Sequence, residues 1–153
     1  VLDRLEADLD SVARFGARRL VTLMESHELD YIGIAPQRLA DAARARGLVW
    51  THLPIRNLRA PGPDWETPWL KAGAELRGLL QAGERFALHC YAGLGRTGTV
   101  AARLLIELGA GPAQAVAQVR TIRPGSIETW EQERYVLAAR WPAPGSPPAA
   151  SPT

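Results

Sequence analysis

The sequence predicts a single α/β domain built on a central, mainly parallel sheet flanked by helices. Three observations carry this prediction. The chain has 153 residues, the size of one domain. Short apolar runs of strand length alternate with longer segments of helical period, the order that gives a layered α/β fold. Hydrophobic residues make up 46% and charged residues 22%, enough apolar material for one sizeable core and too much for disorder as the main state.

The elements follow in order. Leu2, Leu5, Leu9, Val12 and Phe15 recur at helical spacing with acidic residues between them, and Gly16 stops that helix. Arg18 to Met24 is a short apolar run and reads as a buried strand. Pro36 to Arg46 is helical, with proline at a permitted first position and Gly47 as its stop. Leu48 to Leu53 is a second strand. Pro54 to Pro63 holds three prolines and a glycine and reads as a loop. Trp65 to Gln81 returns to helical period, and Arg85 to His89 is a third strand. Gly93 to Gly98 is a turn, followed by a largely apolar helix from Thr97 to Leu108. Two more helices are expected near Pro112–Ile122 and Glu128–Arg140. Residues 141–153 contain five prolines and read as a disordered tail behind a domain of residues 1–140.

Charge and cysteine usage narrow the function classes. The net charge is +2, and Lys71 is the one lysine among 18 basic residues. The arginines are interleaved with acidic residues rather than gathered in a stripe, so no nucleic-acid partner is expected. No apolar run approaches the ~20 residues needed to span a bilayer, so no membrane partner is expected either. The segment from Val1 to Asp10 alternates apolar and acidic residues, unlike a signal peptide. Cys90 is the single cysteine, which excludes an intrachain disulfide and fits a reducing, cytoplasmic setting.

The informative stretch runs from His89 to Gly98, His-Cys-Tyr-Ala-Gly-Leu-Gly-Arg-Thr-Gly. A strand ends at a thiol, a glycine-rich turn follows, and a helix begins. The N–H groups of such a turn form an anion nest, and the helix start adds unpaired donors and its positive dipole end. Arg96 can fold back and offer a two-pronged guanidinium to an oxyanion. These features favour a bound phosphate and the thiolate form of Cys90. Taken alone, a buried cysteine ahead of a glycine turn also fits inert packing; Arg96 and Thr97 at their spacing favour the chemical reading. Gly93 to Gly98 also matches the dinucleotide pattern, but the segment after the helix is Pro112 to Arg120, helical rather than a strand, so that reading fails its context test.

His89 to Thr97 fits H-C-x5-R-[S/T], and the chain resembles the cysteine-dependent protein tyrosine and dual-specificity phosphatases. The wording looks most like the branch that contains the cyclin-dependent-kinase-associated phosphatase and its bacterial relatives. Thr51-His52-Leu53-Pro54-Ile55 and Ser126 to Gln132 extend the resemblance, which runs from about Leu2 to Arg140. It implies the cysteine phosphatase fold and a phosphorylated protein or peptide as substrate, with no metal and no cofactor. In the mechanism it implies, Cys90 attacks phosphorus and forms a phosphocysteine. Arg96 and the N–H groups of Tyr91, Ala92, Gly93, Leu94 and Gly95 bind the phosphate oxygens, and Thr97 stabilises the departing thiolate. His89 orients the loop by hydrogen bonding.

The sequence departs from the branch at its general acid. The usual aspartate after Pro-Ile-x is here Asn57, and an amide cannot give up a proton at neutral pH. Asp64, further along the same loop, is an alternative donor, although its place beside Pro63 also suits the start of the next helix. The other readings of Asn57 are an engineered trapping variant, or a catalytically impaired phosphate-recognition module. A small-molecule, nucleotide or inositol phosphate phosphatase is a further alternative. The absence of lysines among Tyr91 to Gly95 favours phosphoprotein over a multiply phosphorylated ring. Arg56 and Arg59 are candidates for attracting a second acidic group, Gln132 for positioning the hydrolytic water, and Trp65, Trp69 and Trp130 for walls around a phosphotyrosine ring. The branch also carries residues before its first helix, often edge strands, so a shortened front and an exposed sheet edge are expected.

Overall fold

The computed structural model describes residues 2–142. The expected tail lies outside them from residue 143 onward. Three strands form one sheet: β1 (Ala17–Thr22), β2 (Val49–His52) and β3 (Arg85–His89), in the order β2-β1-β3. Both pairings are parallel. The helices are α1 (Leu2–Arg14), α2 (Ser26–Tyr31), α3 (Pro36–Arg44), α4 (Pro63–Gln81), α5 (Gly95–Glu107), α6 (Pro112–Ile122) and α7 (Trp130–Ala138).

Because the strands are parallel, their carboxyl ends lie on one edge, where open α/β sheets place their sites. The register puts His52 and His89 on either side of Thr22. The ladder then continues past the strands. Leu53 N–H donates to Thr22 O, Leu23 N–H to His89 O and Ile55 N–H to Leu23 O, each at 2.9 Å. The chain leaving β2 is thereby fixed beside the chain leaving β3, where Cys90 follows.

Both sheet faces are covered, as a parallel sheet requires. On one face Leu20 and Met24 pack with Leu5 and Leu9 of α1, Leu29 of α2 and Leu39 of α3. On the other, Val21 and Leu23 meet Trp65, Trp69 and Leu76 of α4 and Val100 and Leu104 of α5. A third cluster holds α6 and α7 against α5, through Ala102, Ile106, Val116, Val119 and Val136. Among the described residues β3 pairs only with β1, so its outer side is a sheet edge.

Charges tie α4, α5 and α7 together. The fully buried Glu107 carboxylate accepts from Trp69 Nε1 and Arg103 Nε, each at 2.8 Å, and pairs with Arg77. Arg103 also reaches Glu66 at 3.0 Å, and Glu66 accepts from the Tyr135 hydroxyl at 2.6 Å. Burial and the Glu66 hydrogen bond hold the Tyr135 hydroxyl far above its ordinary pKa.

The short helix α2 falls in a segment with no helical signal. It has six residues and buries only Leu29, so no periodicity could reveal it. The helix after the glycine turn starts at Gly95, two residues earlier than expected, which places Arg96 and Thr97 inside its first turn. The last helix is shorter than expected, Trp130–Ala138 rather than 128–140.

Candidate active site

Cys90 is buried at the end of β3, and the bends from Tyr91 to Leu94 bring the chain round to the first turn of α5. Gly93 has φ +72°, the left-handed conformation that glycine adopts without penalty. Leu94 O accepts from Gly98 N–H at 3.0 Å and from Ile127 N–H at 3.2 Å, so the loop is held by α5 and by the segment before α7. The Thr97 hydroxyl donates to Cys90 Sγ at 3.0 Å.

Arg96 is 2% exposed. Its Nη1 donates to Ile55 O at 2.9 Å, which anchors it to the chain leaving β2. Its two terminal nitrogens also grip the Glu28 carboxylate at 2.7 and 2.9 Å. Glu28 is fixed in turn by the Glu25 N–H, 2.8 Å from Oε2. Burial pushes the Glu28 carboxyl up, but the Arg96 hydrogen bonds, the Glu25 N–H and the Arg96 charge outweigh it. The carboxyl therefore sits below its usual value. Burial pulls the Arg96 guanidinium down, and Glu28 more than restores it.

His89 stands one residue from the thiol. Thr22 Oγ1 accepts from Trp50 Nε1 at 2.8 Å and lies 2.7 Å from His89 Nε2. An indole nitrogen only donates. The Thr22 hydroxyl keeps its own proton and can donate it to Nε2. Burial, then the nearby His52 and Arg96, keep the ring neutral, against a backbone hydrogen bond at Cys90.

Tyr91 of the loop lines a cavity of about 300 Å³ together with His27, Glu28, Tyr31 and Asn57. Cys90 and His89 instead line a separate cavity of about 600 Å³, walled by Leu5, Leu9, Leu20 and Met24. Asp64 lines neither: it is exposed in the first turn of α4, and the N-cap position is Gly62. Arg56 is exposed on the loop, while Arg59 pairs with Glu131 at 2.9 Å. Gln132 is fully buried. Its Oε1 accepts from Glu128 N–H at 2.9 Å and Thr129 N–H at 3.2 Å, and its Nε2 donates to Arg59 O at 3.2 Å. A Cβ at Gly95 would meet Gln132 within about 3 Å and Glu128 Oε1 at 2.6 Å, so both side chains flank the phosphate loop.

The expected aromatic wall is overturned for two tryptophans. Trp65 and Trp69 stack at 4.8 Å inside the core, 6% and 1% exposed. Their four-residue spacing puts both on the buried stripe of α4. Trp130 is exposed and lines neither cavity; Tyr31 and Tyr91 line the one beside Asn57.

Sequence reasoning missed Glu28, and also Arg123, whose guanidinium donates to Ala92 O at 3.2 Å and packs on Gly93. Glu28 had one faint signal. Glu25 and Glu28 stand in capping-box spacing just after a strand, at the edge where sites form.

Residues 3–110 match the model of the family described as "Polymorphic toxin system, DSP-PTPase phosphatase". The chain belongs to this family. It is 36% identical over 103 residues to cyclin-dependent kinase inhibitor 3 of Rattus norvegicus, covering 64% of this chain and 46% of that protein. It is 50% identical over 92 residues to a probable protein tyrosine phosphatase type IVA A of Dictyostelium discoideum, covering 60% and 55%. The chain thus spans about half the length of the curated relatives it matches. Among solved structures, Tk-PTP in its active form superposes with a TM-score of 0.71 at 32% identity, covering 86% of this chain and 82% of that one. Kinase-associated phosphatase, with its catalytic-site cysteine replaced by serine, gives 0.75 at 27% identity, covering 88% and 78%. The fold is therefore that of the single-domain tyrosine phosphatases, as the resemblance implied. No helix among the described residues is long and apolar enough to cross a membrane.

Proposed function

We propose that this chain hydrolyses phosphomonoesters on protein side chains, phosphotyrosine first, through a phosphocysteine on Cys90. The observation that carries the reading is the meeting of three groups at the start of α5: the Cys90 thiol, the Thr97 hydroxyl 3.0 Å from it, and the buried Arg96 guanidinium. Thiolate attack on phosphorus expels the ester oxygen. Arg96 and the N–H groups from Tyr91 to Gly95 hold the equatorial oxygens, whose charge rises in the transition state. Water then attacks the phosphocysteine, and Thr97 receives the returning thiolate by its hydrogen bond. Tyr91 to Gly95 add no positive charge for a second phosphate group, which supports a phosphoprotein over an inositol phosphate.

The test is rapid-quench analysis with a phosphotyrosine peptide, beside phosphoserine, nucleotide and inositol phosphate substrates. A burst of product with an acid-trapped phosphocysteine is expected, and Cys90→Ser removes both. Turnover that survives Cys90→Ser sinks the reading. Asn57, which shares a cavity with Tyr91 of the phosphate loop and has no acidic proton, favours a second reading, a phosphate-recognition module. Tight binding of phosphopeptide by the unaltered chain without turnover, joined to turnover by Asn57→Asp, selects it.

A further inference from the structure

Of the two cavities beside the phosphate loop, only the larger contains the thiol. The smaller begins at Tyr91, the residue after the nucleophile, and is completed by His27, Glu28, Tyr31 and Asn57. It does not include the reacting sulfur. Neighbouring residues of a substrate chain stand about 3.8 Å apart. A cavity that starts one residue from the nucleophile is therefore within reach of the side chains that flank a phosphorylated residue.

Its chemistry suits a cation. Tyr31 is 89% exposed and Tyr91 65%, so both rings present open faces, and the face of an aromatic ring attracts Lys and Arg. Asn57 adds an amide oxygen, an acceptor. None of the lining residues is a lysine or an arginine. The Glu28 charge is balanced by Arg96, through contacts of 2.7 and 2.9 Å. A dianionic phosphate in the loop then makes the surroundings net negative. Glu25 brings one more carboxylate, 3.7 Å from His27 Nε2. Arg56, beside Asn57 in the chain, is exposed and does not line the cavity, and Arg59 is engaged by Glu131 at 2.9 Å. A second anion would meet no arginine or lysine on these walls. A guanidinium or ammonium meets two rings and an amide oxygen.

We infer that the cavity formed by Tyr31, Tyr91 and Asn57 is a subsite for a basic side chain flanking the phosphorylated residue of a protein substrate. The inference rests on the phosphatase reading above and narrows its substrate class to phosphoproteins with a basic residue within two positions of the phosphate. Arginine ranks before lysine, because its planar guanidinium stacks on aromatic rings and is more weakly hydrated than an ammonium. An exposed ring is worth about a 2- to 5-fold gain to a cation, so the pair predicts roughly 5- to 20-fold in kcat/KM. An acidic flank meets the ring faces with the wrong sign. Tyr31 acts in recognition and takes no part in the bond changes at phosphorus.

The test uses phosphotyrosine peptides with alanine flanks, in which Arg, Lys or Glu is placed singly at each of the two positions on either side. p-Nitrophenyl phosphate, which has no flanks, is the control. At one or more positions Arg is expected to raise kcat/KM roughly 5- to 20-fold over Ala, with Lys between them and Glu below. Tyr31→Ala is expected to lose about 2- to 5-fold of that gain and to leave p-nitrophenyl phosphate turnover unchanged. Tyr31→Phe keeps the ring and most of the gain, which separates the ring face from the hydroxyl. Glu equal to or better than Arg at every position overturns the subsite, and so does an undiminished Arg preference in Tyr31→Ala. The same ranking is read as phosphopeptide Kd on Cys90→Ser, with and without Tyr31→Ala. A chain that turns over no ester but shows the Arg ranking in Kd removes the phosphatase reading and keeps the subsite. Turnover with no Arg preference does the reverse. Neither turnover nor phosphopeptide binding overturns both.

Discussion

Replacing Gln132 with alanine separates two roles that one side chain can have. If Gln132 only positions water, its loss slows hydrolysis and leaves the fold alone. The structure gives it a heavier mechanical duty. Oε1 accepts from the Glu128 and Thr129 N–H groups, and Nε2 donates to Arg59 O, so three hydrogen bonds end on one fully buried amide. These bonds hold the loop that carries Asn57 to the start of α7. Glu131 adds to the same seam, accepting from Arg59 Nη1 at 2.9 Å and Ala60 N–H at 2.7 Å. At a net ~0.5–1.5 kcal/mol per bond, Gln132→Ala costs roughly 1.5–4.5 kcal/mol before any cavity cost. For a domain of this size each kcal/mol shifts Tm by about 3 °C. The expected fall in a calorimetric melt is therefore roughly 5–14 °C. A fall under about 2 °C refutes the latch, since no relaxation of the loop could hide three missing partners so completely. The amide keeps one unused N–H beside Gly95, so a drop in kcat accompanies the loss of stability rather than replacing it.

Two further outcomes test the packing around the site. Glu107→Ala removes the counter-charge of Arg77 and Arg103 and the acceptor of Trp69 Nε1; a loss of about 3–5 kcal/mol is expected from urea titration, and a loss below about 1 kcal/mol contradicts the buried network. The pH dependence of Tm is expected to show two declines on acidification. His89 is held neutral, with its pKa lowered from 6.5, so its contribution is complete above that value and is lost as pH falls through the folded one. Glu28 is lowered from 4.5 and acts in the same sense, complete above 4.5 and lost below it. A His89→Gln profile that keeps the upper decline rules out His89 as its source.

The sheet was legible because its strands are short apolar runs closed by glycine or proline punctuation, and the phosphate loop because its spacing is chemically demanding. Arg85 to His89 needed no revision. Glu28 was illegible for the opposite reason. It sits on one and a half turns of helix with a single buried leucine, and its partner Arg96 is 68 residues away. Trp65 and Trp69 misled because closeness in sequence to the acid loop stood in for direction in space. Both indoles lie on the inner stripe of α4, Trp69 donating to Glu107 and Trp65 to Leu53 O. Gln132 looked like a water ligand, yet the loop it binds folds back from more than 70 positions earlier. No local pattern encodes such a return.

One hydroxyl at the end of β1 has a consequence for how the protein reaches its working state. Thr22 Oγ1 touches Trp50 of β2 and His89 of β3 at once. Strand side chains alternate faces, so a slip of one residue in either pairing would turn its partner to the far side of the sheet. The hydroxyl then works as a coincidence detector for folding: both contacts form only when all three strands are aligned. Because His89 precedes the nucleophile directly, a collapsed chain with one strand out of step lacks a shaped phosphate loop. Regain of turnover during refolding therefore counts molecules with a finished sheet, while fluorescence from the buried tryptophans of α4 counts those that have merely compacted.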